Sequence, residues 1–137
     1  MIRREGGSLS WFFHQVRGDD NGTSLFNFMS EHVTGSPTKA EIGQAKTGIA
    51  GDKGLNFITT SHERTRESGM SYLLAGQLYR GYTIRELNHS HPQSMNPSSG
   101  DRGFVRDVTN TLSGQGLRIP NFNIWHVPSK TLIPFGR

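Results

Sequence analysis

The chain has 137 residues, a hydrophobic fraction of 32%, 17 glycines, a formal net charge of +4 and no cysteine. That is one domain's worth of chain, with long loops around a modest core. The missing cysteines exclude disulfides, thiolate metal ligands and a thiol nucleophile, so any metal must be held by His, Asp or Glu.

No run approaches the roughly 18 apolar residues of a membrane-spanning helix, and Met1 to Gly7 lacks the apolar core of a signal peptide. Lys and Arg are dispersed, without a basic run interleaved with aromatics, so neither a membrane nor a nucleic acid is expected as partner. A soluble chain is expected.

Residues 1–22 read as an N-terminal segment, the remnant of a larger protein, and 23–137 as the folded domain. In the segment, Leu9 to Phe13 is an apolar patch that suits an edge strand, or else the packing surface of a preceding domain. Gly18 to Gly22 reads as a turn. Thr23 or Ser24 caps a helix with Leu25, Phe28, Met29, His32 and Val33 on one buried stripe, His32 at the core edge.

Gly35-Ser36-Pro37 ends that helix, Lys39 to Lys46 follows as a strand, and Gly48 to Gly54 is a hairpin connection into a strand over Leu55 to Ser61. His62 comes at the exposed end of that strand, with a charged loop to Gly69 beyond it. A helix then begins at Ser68 or Ser71 and ends at Gly81, weakened by Gly76. Tyr82 to His89 is a strand, Asp101 to Leu112 a helix with Phe104, Val105, Val108 and Leu112 on one side, and Phe122 to Val127 with Thr131 to Phe135 a closing hairpin. His126 in that hairpin reads as a packing residue. The order of elements indicates an α/β domain, a mixed sheet flanked by helices.

The chemistry concentrates in Asn88-His89-Ser90-His91-Pro92 and Ser98-Ser99-Gly100-Asp101. In an extended chain the two-residue period sends His89 and His91 to the same side, Pro92 ends the strand, and a short loop returns Asp101 to the imidazoles. Two His and one Asp suit zinc and leave one tetrahedral corner for water, the pattern of a hydrolytic site. Ser98 stands close enough to donate to the oxygen anion formed when a carbonyl is attacked.

These residues resemble the JAMM (JAB1/MPN) metalloprotease family, whose signature is a distant Glu, His-x-His-Pro, a loop and Ser-x-x-Asp. The loop over residues 93–97 is one residue shorter than the usual one. Counting from Ser99 restores the loop but shortens the spacing to Asp101, so Ser98 is preferred and Ser99 stays open.

The resemblance implies zinc held by His89, His91 and Asp101, with Ser98 at the oxyanion and a sandwich of the JAB1/MPN, cytidine-deaminase-like type. It also implies Glu41 as general base, because Glu41 to Gly48 resembles the family's glutamate-bearing strand. Glu31 and Glu86 compete for that role, although alternation puts Glu86 on the face opposite the histidines.

Within the family, Ser24 to Phe28, Asn56 to His62 and Asn88 to Pro92 look like JAB-like toxin domains of bacterial polymorphic toxins of the RHS type. That likeness implies an effector delivered as part of a secreted protein, a protein or peptide substrate, ubiquitin-like proteins among them, and an immunity protein as partner. The alternative is a binding module on the same fold that has lost its chemistry and holds a peptide or protein. A zinc deaminase is disfavoured, since its cysteine ligands are missing.

Overall fold

A computed structural model of the chain describes residues 2–6, 9–34, 41–60, 68–92 and 94–136. The elements are β1 (Ile2–Gly6), β2 (Leu9–Arg17), α1 (Asp19–Thr34), β3 (Ile42–Thr47), β4 (Leu55–Thr60), α2 (Ser68–Leu73), β5 (Ile84–His91), α3 (Ser99–Gly114), β6 (Asn121–His126) and β7 (Thr131–Phe135). The strands form one seven-stranded sheet in the order β1-β2-β4-β3-β5-β6-β7. Every pairing is antiparallel except β5 with β6. The expected α/β architecture, a mixed sheet flanked by helices, is the observed one.

Both faces of the sheet are covered, and neighbouring residues along a strand serve opposite layers. Phe57 joins Phe13, Ala45, Leu87 and Phe122 under α2 and α3. The next residue, Ile58, joins Phe26 and Ile42 under α1. Burial on both sides removes the apolar–polar alternation by which half-exposed strands are read.

Several boundaries differ from the sequence expectation. β2 is not an edge strand: it lies between β1 and β4. β1 has the charged composition with which sheet edges resist further pairing and no apolar pattern to announce it. The stretch from Asp19 to Gly22, expected as a turn, is the first turn of α1. Gly18 makes the turn instead, at φ 93°, a conformation that glycine adopts without steric penalty.

Asp19 then anchors the helix start by accepting hydrogen bonds from Gly51 N, Asn56 Nδ2 and the Arg85 guanidinium. The Arg85 bonds hold its carboxyl well below the usual carboxylate range, against the opposing effect of burial. The buried stripe of α1 runs through Gly22, Phe26 and Ser30. At Gly22 a Cβ would collide with Asn56, so the earlier start turns Phe28 outward, 65% exposed and stacked on an exposed His32. His32 is therefore not at the core edge.

The helix expected before Gly81 is α-helical only to Leu73 and widens into a π turn over Leu74–Leu78, closed by Tyr79 N donating to Leu74 O. The residues 61–67, with His62, and the proposed helix end at Gly35-Ser36-Pro37 lie outside the described residues.

Candidate metal centre

β5 lies inside the sheet, between antiparallel β3 and parallel β6. A parallel neighbour requires a crossover, and α3 provides it. The chain leaves β5 at His91, loops once and enters α3 at Ser99, so the helix start comes back to the strand end it left. Ser98 is the N-cap residue: its Oγ accepts the Asp101 N–H at 3.0 Å, and the Asp101 carboxylate accepts the Ser98 N–H at 2.7 Å. This reciprocal box fixes the rotamer of Asp101.

Asp101 thereby faces both imidazoles. Its Oδ1 lies 2.9 Å from His89 Nε2 and its Oδ2 lies 3.0 Å from His91 Nε2. The two Nε2 atoms are 3.1 Å apart. Glu41 completes the group, with Oε2 3.8 Å from His91 Nε2. Among the described residues these four form a potential metal-binding group, their donor atoms all within 4.8 Å of one another.

The donor set fits a cation. His91 Nδ1 lies 3.1 Å from the Ser94 carbonyl, which only accepts, so Nδ1 carries a proton and Nε2 is the ring atom turned into the cluster, a donor to Asp101 when protonated and a ligand atom when not. There it meets a second imidazole nitrogen and two carboxylates. Adjacent donors on a tetrahedral zinc would be roughly 3.3 Å apart, given Zn–N distances of about 2.0–2.1 Å. Buried acceptors this close need a positive charge among them.

The titration of the site has the same sense. Burial alone would raise Asp101, yet the hydrogen bonds from His89 and His91 hold it well below the usual carboxylate range. Burial would lower His91, but the Asp101 hydrogen bond and the Glu41 charge raise it. Glu41 is pushed up to about 8, first by burial and against the opposing pull of His91. Its Oε1 is buried with no hydrogen-bond partner among the described residues.

All five residues named from the sequence are at this site. His89, His91, Asp101 and Glu41 converge, and Ser98 adjoins through its bonds to Asp101. Glu41 lies immediately before β3 rather than inside a strand begun at Lys39; residues 39 and 40 lie outside the described residues. The competitors are elsewhere. Glu31 is exposed and paired with Lys130 at 3.1 Å, and Glu86 bonds Asn88 and Lys46. Ser99 lies exposed in the first turn of α3.

Sequence reasoning missed Ser90. Its side chain, turned away from the histidines by alternation, accepts the Ile42 N–H at 2.8 Å. That bond fastens the chain beside Glu41 to the end of β5. It also missed the row of buried amides running from Asn123 through Asn88 and Gln44 to Asn56, which ties four strands together behind the site. The only signal for either was polar residues inside otherwise apolar strands.

Residues 14–111 match the family model described as JAB-like toxin 1. No curated protein and no solved structure matches the chain.

Proposed function

The chain belongs to the JAB-like toxin 1 family, and on that premise we propose that it is a zinc-dependent metallopeptidase cleaving a peptide or isopeptide bond. It acts as the effector part of a bacterial polymorphic toxin. The observation that carries this reading is the convergence of two imidazoles and Asp101 with a buried glutamate, one of whose oxygens has no hydrogen-bond partner among the described residues.

His89, His91 and Asp101 would hold the ion. When bound, zinc supplies Lewis acidity and brings the pKa of its water near neutrality. Glu41 takes a proton from the attacking water as its oxygen bonds to the carbonyl carbon. It delivers a proton to the departing nitrogen as the C–N bond breaks. A carboxyl whose pKa lies near the working pH suits both transfers; burial raises Glu41, and a bound cation would draw it back down toward that range. The Ser98 hydroxyl donates to the carbonyl oxygen as charge gathers there, while its own oxygen keeps the Asp101 N–H. The substrate is a protein or peptide, ubiquitin-like proteins among the candidates. A toxin of this kind needs an immunity protein to shield its producer.

The test is Glu41→Gln. Hydrolysis of a protein substrate should fall at least 10²-fold while zinc content by elemental analysis stays at one per chain. Full activity in the variant rejects the assignment. The loop over residues 93–97, shorter than the usual one, favours a second reading, a binding module without turnover. A purified chain that takes up no zinc would support that reading instead.

A further inference from the structure

The metal centre opens on a cavity of about 550 Å³ that lies between α2 with its π turn on one side and α3 on the other. His89 and Asp101 are part of its wall, and Leu74, Leu87, Phe104 and Phe122 supply its apolar surface. The size is that of a pocket for a small ligand, and the site's own donors border it, so a group attached to the reacting atoms has this space beside it. Among the described residues the charged side chains lining it are acidic, Asp101 and Asp107. Apolar walls with acidic side chains favour an apolar occupant and oppose a carboxylate.

Two glycines of α3, Gly100 and Gly103, also line the cavity. Glycine inside a helix is unfavourable relative to alanine, and neither has a positive φ to justify it. Among the described residues no packing contact requires either. A Cβ at Gly103 would meet Arg106 Nη2 at 3.7 Å and one at Gly100 would meet Ser98 Oγ at 3.6 Å, both ordinary contacts. Absent side chains on the cavity side of α3 leave room for something outside the fold, as glycine does where a backbone approaches a ligand.

We infer that this cavity receives a large apolar side chain, of the leucine, methionine or phenylalanine type, on the substrate residue adjoining the scissile bond, and that Gly100 and Gly103 keep space for the substrate backbone along α3. The inference rests on the metallopeptidase reading for what brings the substrate there.

Two metal-chelating probes test it on the zinc-loaded chain: the hydroxamates of N-acetylphenylalanine and of N-acetylglycine. The phenylalanine probe should bind at least tenfold more tightly, the gain expected from burying an aromatic ring. Gly103→Phe fills the cavity from a position where its Cβ is unobstructed and the helix gains propensity. It should bring the two Kd values together with zinc content unchanged. Equal affinities in the wild type, or a preference that survives Gly103→Phe, overturn the inference.

If neither hydroxamate binds, the metallopeptidase reading fails, and the cavity is then judged by N-acetylphenylalanine amide alone. Amide NMR shifts at Leu74 and Val108 that vanish in Gly103→Phe support the cavity; unperturbed amides overturn it.

Discussion

Ser90 shows how a side chain pointing away from a site can still set its geometry. Its hydroxyl replaces the strand ladder at the point where β3 begins, and the residue it secures is the neighbour of Glu41. Ser90→Ala leaves a buried N–H unpaired and should cost about 1–3 kcal/mol in urea unfolding. Hydrolysis should fall by more than that loss of stability accounts for.

Glu41 gives the metal-free protein a pH dependence of definite sign. Its folded pKa, about 8, lies above the ordinary carboxyl value of 4.5, so the folded state binds more protons than the unfolded one between those values. Stability from this group is present in full below about 4.5 and is lost as pH rises toward 8. His91, also raised, has the same sense, whereas Asp101, lowered, loses its contribution only in acid. Urea midpoints of the metal-free chain from pH 5 to 8 should therefore decline. Glu41→Gln should decline less, and parallel slopes would refute the burial of a protonated carboxyl.

The candidate metal-binding group was legible because three of its members lie in one short stretch, where strand alternation and a following helix suffice to bring them together. Glu41 is distant in sequence and came from family likeness. Ser90 carries no spacing signal at all.

At the scale of elements, the amide row explains why β5 has one register. Asn88 donates to Gln44 Oε1 and Glu86 Oε2 and accepts from Asn123 Nδ2. A slip by one residue would carry the histidines to the α1 face and leave these buried amides unpaired. Asn88→Leu should cost on the order of 3 kcal/mol by chemical denaturation, from several unsatisfied groups at once. An effect under about 1 kcal/mol would mean that the row does not hold the strand.

The elements that sequence pattern caught best were α3 and the β6–β7 hairpin. α3 shows its apolar stripe at Val105, Val108 and Leu112, and the hairpin turn has Lys130 at φ 52°. α1 was displaced because Asp19 starts the helix through long-range bonds to Gly51, Asn56 and Arg85, which no local window contains. β4 was read from the alternation of Leu55, Phe57 and Thr59 with Asn56, Ile58 and Thr60, but its four consecutive buried residues from Asn56 to Thr59 show that both faces are covered.

For the whole molecule, the lone parallel pair is what makes a site. The crossover through α3 returns the chain to the carboxyl end of β5, the place where ligands collect in open α/β sheets. Metal binding that is confined to the folded chain must raise its stability by about 2.7 kcal/mol at a hundredfold excess of zinc over Kd, roughly 8–10 °C in Tm for a chain of this length. His89→Ala should abolish the shift. An equal shift in that variant would place the ion elsewhere. Mixed α/β architecture was evident from the order of elements, whereas the cavity between α2 and α3 was not, since it depends on how far apart two helices stand.

The double engagement of Asp101 narrows what position 101 can tolerate. Asparagine could still close the first turn of α3 but would bring no negative charge to the imidazoles. Glutamate would restore the charge on a longer arm, out of step with the amide of Ser98. Anchoring a helix and facing a pair of imidazoles are usually separate duties that can drift apart over generations; here one side chain performs both, and neither can be adjusted without disturbing the other.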